Sequence, residues 1–154
     1  MAYKTISIDT DAPVKEGKAT AVVLSPGHLI ERTSTDGQVQ MHSTAGGKAA
    51  KHFAVEDENQ GKEIGDNYAV EARIFFKTFR PGDIVQARIK DGENIAIGDW
   101  LVSGAAGVLA EALADSSGTV AEQFIVGQAL SACDMSASSA AGGDPANTCL
   151  VEIY

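Results

Sequence analysis

Basic residues are missing from the whole second part of this chain. All 12 lysines and arginines lie within residues 1–90, together with 12 acidic residues, whereas residues 91–154 hold nine acidic residues and no basic one. The net charge of −9 therefore comes from the carboxyl-terminal part. A nucleic-acid-binding protein needs a cationic face to displace counterions from phosphates, so we expect no nucleic-acid partner. The acidic part serves either as a solvated surface or as an electrostatic match to a basic partner.

Long apolar runs are also missing. No stretch approaches the roughly 18 apolar residues that a membrane-spanning helix requires, so we expect no membrane contact. The first residues, Met1 to Asp9, contain no apolar core of signal-peptide length. We therefore expect synthesis and folding in a cytoplasm.

The sequence has none of the spacings that mark common catalytic or metal sites. Its three histidines, His28, His42 and His52, lie in separate segments, and neither a His-x-His nor a His-Glu-x-x-His motif is present. The nucleophile elbow Gly-x-Ser-x-Gly and the phosphate-binding loop are absent too. We expect a protein that is not an enzyme and that has no cofactor and no metal.

Cysteine is scarce, with only Cys133 and Cys149. A disulfide between them would close a loop of small residues and restrain the unfolded chain by about 3 kcal/mol. Cytoplasmic folding argues against that bond, because thiols stay reduced there. The sequence is compatible with a disulfide and with two free thiols.

Two Gly-Asp corners are the most informative features that are present. Gly82-Asp83 and Gly98-Asp99 each lead directly into an apolar run. Glycine adopts the positive φ that such a corner needs, and the aspartate carboxylate accepts hydrogen bonds from nearby backbone N–H groups. Further turn signals recur every 8 to 12 residues or so, which is typical of an all-β domain. We predict a small β-barrel or β-tulip domain over residues 20–154.

Residues 1–19 form a separate unit in this prediction. Their apolar alternation is brief, and Pro13 interrupts it before a charged, glycine-containing run. We predict an extended amino-terminal arm that could add a strand to the sheet edge of another protein. A first strand of the barrel and a disordered terminus are the alternatives.

The aromatic residues must be buried by some other part of the chain or by a partner. Phe75 and Phe76 are neighbours, so on a strand their side chains point to opposite faces, and one of them needs cover from a second sheet or another subunit. We predict a subunit interface formed by Phe75, Phe76 and Phe79. Trp100 is expected to close one end of the barrel as a core residue, with an exposed binding platform as the alternative.

Several motifs in order resemble the head decoration (cement) proteins of tailed phages and their prophage-encoded relatives. The resemblance covers residues 50–154 and rests on the following segments: Phe53-Ala-Val-Glu56, Glu58-Asn-Gln-Gly-Lys62, Ile64-Gly-Asp-Asn-Tyr68, Arg80-Pro-Gly-Asp-Ile-Val85, Ile97-Gly-Asp-Trp-Leu-Val-Ser103, Gly107-Val108 and Ile125-Val-Gly-Gln-Ala-Leu130. It implies a β-barrel or β-tulip domain that assembles as an oligomer, often a trimer, on the outer surface of the capsid. There it would reinforce the expanded head, with no catalytic residues.

The function expected from this resemblance is capsid decoration. The partners would be the major capsid protein and other copies of the chain, and the location would be the virion surface after assembly in the host cytoplasm. We expect the arm to contact the capsid through its apolar side chains, namely Tyr3, Ile6, Ile8 and Val14. A tail- or fibre-associated module that binds carbohydrate or another surface, with Trp100 and Tyr68 as its aromatic platform, is the alternative.

Overall fold

The structure is a computed structural model, and it describes residues 5–20, 23–113, 124–136 and 147–154. The described residues form strands and one short 3-10 helix, η1 (Glu58–Gln60). The strands are β1 (Ser7–Asp9), β2 (Lys15–Ala19), β3 (Leu29–Arg32), β4 (Gln38–Met41), β5 (His52–Val55), β6 (Arg73–Thr78), β7 (Ile84–Arg88), β8 (Asn94–Ile95), β9 (Trp100–Ser103), β10 (Leu109–Glu111), β11 (Gly127–Ala129), β12 (Cys133–Asp134) and β13 (Thr148–Ile153). The all-β prediction is confirmed. No helical segment in the described part of the chain has the length and apolar character needed to cross a bilayer.

Five strands close into a small barrel in the order β2-β4-β3-β5-β6. All neighbouring strands are antiparallel except β2 and β4, which run parallel. Because side chains alternate across a strand, this register directs one apolar set into the barrel. That set is buried and comprises Ala19, Ile30, Val39, Ala54, Ile74 and Phe76. Gly17 provides the room these side chains need, since a Cβ there would lie 3.2 Å from Val39 and 3.4 Å from Phe76.

The second half of the chain builds most of a six-stranded sheet in the order β1-β7-β13-β11-β9-β10. The final strand, β13, is paired along both edges, with β7 on one side and β11 on the other. Its residues alternate between buried Cys149, Val151 and Ile153 and more exposed neighbours. The short strands β8 and β12 form a separate pair. The carboxyl-terminal strand is therefore an interior strand of the sheet.

The barrel and the sheet share one continuous core. The Lys51 ammonium in the barrel donates to the Ile125 carbonyl at 3.0 Å. Gly107 lies against the barrel so closely that a Cβ there would meet the Leu29 carbonyl oxygen at 3.0 Å. These contacts fix the sheet against the barrel wall.

Both Gly-Asp corners have the predicted geometry. Gly82 and Gly98 have φ values of 93° and 94°. The Asp83 carboxylate accepts from the Arg80 N–H at 2.8 Å, and the Asp99 carboxylate accepts from the Ala96 N–H at 2.7 Å. Each corner therefore directs the chain into a sheet strand, β7 or β9.

The division into an arm and a barrel is wrong. Strand β2 belongs to the closed barrel, and β1 pairs with β7, so a boundary after Ala19 would cut through the fold. The physical reason is burial: Ile6 and Ala19 have no exposed surface. The alternative of a first barrel strand is the one that the structure supports for β2.

Candidate functional site

The exposed face of the six-stranded sheet carries a cluster of apolar side chains, which we call the Trp100 surface. Its members retain a large exposed fraction: 71% for Ile97, 37% for Trp100, 37% for Leu130 and 54% for Tyr154. The pairing of β9 with β11 and of β11 with β13 places Trp100, Gln128 and Glu152 side by side on one face. Leu130 and Tyr154 directly follow β11 and β13, and Ile97 lies in the turn before β9. An exposed apolar group of this kind is a candidate binding surface.

The aromatic pair at the centre of this surface is packed in a defined way. The rings of Trp100 and Tyr154 meet edge to face, with their centroids 5.2 Å apart. Such pairs contribute about 0.5–1.5 kcal/mol beyond the area they bury. The two rings therefore hold each other in place before any partner arrives.

The backbone under this surface is held by the second Gly-Asp corner. The Gly98 N–H donates to the Ala129 carbonyl at 2.8 Å, and the Ala129 N–H donates to the Asp99 carbonyl at 2.9 Å. The Gln128 side-chain amide donates to the Gly98 carbonyl at 2.9 Å. A surface ordered in this way loses little conformational entropy on binding.

The charge around the Trp100 surface is acidic. Asp99 precedes the tryptophan, and Glu152 lies exposed on β13 directly opposite Gln128. Neither carboxylate forms an ion pair among the described residues. A partner with lysine or arginine around an apolar recess would match this surface in both charge and polarity.

The core prediction for Trp100 is wrong, because the side chain is partly exposed on the sheet rather than buried in a barrel end. The alternative of an exposed platform fits the structure, but Tyr68 is not part of it. Tyr68 is buried beside the barrel, and its hydroxyl donates to the Val55 carbonyl at 2.6 Å. Burial raises the pKa of Tyr68 to about 12. Tyr154 takes the place that the sequence analysis assigned to Tyr68, and the signal for it was the alternation of the last strand.

The phenylalanines predicted to form a subunit interface are buried within one chain. Phe76 points into the barrel, where the ring of His52 packs against it. Phe75 lies on the outer side and is covered by the Arg73 guanidinium and the segment that holds Tyr68. Phe79 packs edge to face on Phe53. Intramolecular cover on both faces of β6 removes the reason for a subunit interface there.

The residues predicted to contact the capsid lie in different environments. Ile6 is fully buried, Ile8 is half-buried and Val14 is exposed, while Tyr3 lies outside the described residues. Ile6 is not available to a partner, because its backbone N–H donates to the Glu56 carboxylate at 3.2 Å and its side chain is in the core. Val14 borders a cleft of about 420 Å³ between this segment and the barrel, beside Phe75 and Lys77.

Histidine and cysteine are common metal ligands, so their surroundings test the expectation of no metal site. Within the described ranges, no group of three or more His, Cys, Asp or Glu side chains is arranged to hold a metal ion. Burial, assisted by the Arg88 charge, lowers the pKa of His28 to about 3. Cys133 and Cys149 are buried free thiols whose pKa values burial raises. Of the two states that the sequence allowed, a disulfide or two free thiols, the structure has the free thiols.

Comparison with known proteins gives a likeness in fold. No protein-family model and no curated protein sequence matches the chain. Among solved structures, the chain is similar to the head fiber gp8.5 N base of bacteriophage phi29, with a TM-score of 0.55 and 12% sequence identity. The likeness covers 92% of this chain and 93% of that one. At this identity it shows that the two chains share a fold.

Proposed function

We propose that this protein is a structural component of a tailed-phage head that binds the outer surface of the capsid lattice and stabilises the expanded head. The observation that carries the proposal is the likeness to the phi29 head fiber base, which spans more than nine-tenths of both chains. The ordered Gly-Asp and strand motifs that resemble decoration proteins support it independently. In this role the protein acts from the virion surface and has no enzymatic activity and no cofactor.

The Trp100 surface is the part of the molecule best suited to contact the capsid. It combines exposed Trp100, Tyr154 and Ile97 with acidic neighbours on a rigid sheet. Tryptophan and tyrosine dominate the binding energy of many protein interfaces. Its partner would be an apolar recess in the major capsid protein with lysine or arginine around it. Many copies on one lattice add weak contacts together, so modest affinity for each copy is sufficient.

A binding assay with expanded, undecorated heads of the cognate phage tests the proposal. The wild-type protein should sediment with the heads and raise the temperature at which they release DNA. The double variant Trp100→Asp/Tyr154→Asp should fold but not bind, because it places charges in a contact that must lose water. Val70→Asp is the matched control, since Val70 is also an exposed apolar residue but lies outside the Trp100 surface. Heads that neither bind the wild-type protein nor gain stability would refute the proposal.

Assembly as a homo-oligomer, most simply a trimer, is part of the proposal. The resemblance to decoration proteins supports it. Because the phenylalanines of β6 are buried within one chain, the interface would be formed by other residues. Light scattering on the free protein gives the mass directly. A monomeric mass would show that copies meet only on the capsid.

A second candidate function is a carbohydrate- or surface-binding module. The exposed edge-to-face pair of Trp100 and Tyr154, with the Gln128 amide and Glu152 carboxylate beside it, has the mixture of aromatic and polar groups that a sugar ring requires. A glycan array separates the two functions. Binding to glycans that Trp100→Ala abolishes, with no binding to heads, would favour the module.

A further inference from the structure

One end of the five-stranded barrel is lined by basic and polar side chains. This end consists of the first residues of β2 and β5 and the last residues of β3 and β6. Four side chains there lie two or four positions along the strand from a buried, inward-facing residue, so they are on the strand face that is directed toward the barrel axis. They are Lys15, Arg32, His52 and Thr78. We call this end the barrel mouth.

Contacts bring these side chains to a common point. The Lys15 ammonium donates to the Thr78 hydroxyl oxygen at 2.8 Å, and His52 Nδ1 lies 2.9 Å from the same oxygen. Below them, the ring of Phe76 closes the barrel. Its centroid is 5.5 Å from the His52 ring and 5.8 Å from Arg32 Cζ. Lys15 and His52 therefore meet at one hydroxyl group, and His52 and Arg32 meet at one aromatic ring.

Neither Lys15 nor Arg32 forms an ion pair among the described residues. The ion pairs present there join Glu16 to Arg73 and Asp11 to Arg80, and the Glu31 carboxylate lies 3.7 Å from His42 Nε2. None of these contacts within 4.0 Å involves Lys15 or Arg32. Asp36 in the turn between β3 and β4 is exposed and makes no such pair with Arg32. Positive groups held close together repel one another unless an anion joins them.

Arg73 provides a direct comparison within the same barrel. Its guanidinium also lies over a phenylalanine ring, with Cζ 5.4 Å from the centroid of Phe75. That cation has Glu16 as its partner at 3.8 Å. The barrel thus carries two similar arginine–phenylalanine contacts, of which one is charge-paired and the one at the mouth is not.

We propose that the barrel mouth is a binding site for an oxyanion, a carboxylate, phosphate or sulfate group, held by Arg32, Lys15 and His52. A guanidinium can donate two parallel hydrogen bonds to such a group, and an ammonium adds a compact charge. Mouths of β-barrels are common positions for ligand sites, because the strands hold the lining side chains rigidly. This site is separate from the Trp100 surface, and it does not depend on capsid binding.

The environment of His52 agrees with a positive site. Burial lowers the pKa of His52 first, and the charges of Arg32 and Lys15 lower it further. The neighbouring Lys51 is directed elsewhere, since its ammonium binds the Ile125 carbonyl. A bound anion would offset the two cations and favour the protonated imidazole, so the pKa of His52 should rise on binding.

Titration of the full chain at constant ionic strength tests the proposal. Inorganic phosphate and citrate are the two probes, sodium chloride is the control for screening, and the readouts are calorimetry and the histidine ring signals in NMR. We expect saturable binding of phosphate, citrate or both that shifts the His52 signals. The buried rings of His28 and His42 should not move. The anion that binds more tightly distinguishes a phosphate from a carboxylate site.

Variants make the test specific. Arg32→Gln and Lys15→Gln should each weaken binding at least about tenfold, because each removes a charge-assisted hydrogen bond. Arg32→Lys should keep part of the affinity, and Arg73→Gln should keep all of it. Arg32 is exposed, so its variants are expected to fold even if those of Lys15 do not. The absence of saturation, an equal response to chloride, or an equal loss in Arg73→Gln would overturn the proposal.

Discussion

Ser103 of the sheet and His42 of the barrel are 61 residues apart in sequence and joined by a hydrogen bond of 2.7 Å between Oγ and Nδ1. The other ring nitrogen, Nε2, lies 3.1 Å from the Lys48 carbonyl oxygen, which can only accept. Nε2 therefore carries the proton in the neutral ring, and Nδ1 accepts from the Ser103 hydroxyl. Because both residues are buried, this bond links the two halves of the fold where water cannot replace it.

Ser103→Ala should lower the free energy of unfolding by about 1–3 kcal/mol, because it leaves the buried Nδ1 of His42 without a donor. Ser43→Ala is the control. Its hydroxyl also donates to a side chain, the Glu31 carboxylate, but at an exposed position. Urea denaturation of both variants measures the difference. Equal small losses would show that the junction bond contributes little.

Local chemistry made much of the fold predictable. The Gly-Asp corners depend on the φ of a single glycine and on a hydrogen bond within three residues, so the sequence around Gly82 and Gly98 was sufficient. In each corner, the interaction that determines the structure lies within the motif itself.

The predictions that failed depended on which distant residues provide cover. Phe75 and Phe76 do point to opposite faces, as alternation requires, but other segments of the same chain bury both. Trp100 follows a corner as predicted, and only its position on an outer sheet face leaves it exposed. The barrel mouth could not be predicted from the sequence either. Its four residues come from four strands, and the sequence does not reveal the order of those strands in the barrel.

Ile6→Ala should destabilise the free protein by about 2–5 kcal/mol, the usual loss when a large buried aliphatic side chain is truncated. Ile6 is fully buried, and its Cδ1 lies 3.1 Å from the position that a Cβ on Gly27 would take. Val14→Ala, in the same segment but at an exposed position, should stay within about 0.5 kcal/mol of the wild type. Thermal and urea denaturation check both. Unchanged stability of Ile6→Ala would restore the idea of a separate arm.

Stability should fall on acidification because of His28. Its Nδ1 accepts from the Ser25 N–H at 3.1 Å, and its pKa is about 3 in the folded chain against 6.5 for an unperturbed histidine. Between these values the unfolded chain binds a proton that the folded chain does not, so the free energy of unfolding falls as pH decreases below 6.5. The slope approaches about 1.4 kcal/mol per pH unit.

His28→Asn isolates this contribution, because the asparagine carbonyl can still accept from Ser25 and does not titrate. Urea denaturation at pH 7 and pH 5 should show that the wild type loses about 2 kcal/mol more than the variant over this interval. His52, whose pKa is also lowered by burial, titrates equally in both proteins and cancels in the comparison. The same loss in both proteins would contradict the assignment to His28.

Gly127→Ala should be among the most damaging single substitutions in the described part of the chain. Gly127 lies in β11 between β9 and β13, where a Cβ would come 2.4 Å from the Glu152 carbonyl oxygen and 2.6 Å from Val151 Cγ1. Strand β11 is paired along both edges, so it cannot move away, and we expect a loss of about 3 kcal/mol or more.

Gly65→Ala is the matched control, because Gly65 is exposed and a Cβ there meets nothing within 4 Å. It should change stability by no more than about 0.5 kcal/mol. Strand β11 also carries Gln128 toward the Trp100 surface, so a partly folded Gly127→Ala protein should bind heads only in proportion to its folded fraction. Head binding that stays at the wild-type level while Gly127→Ala unfolds would show that the capsid contact lies outside this sheet.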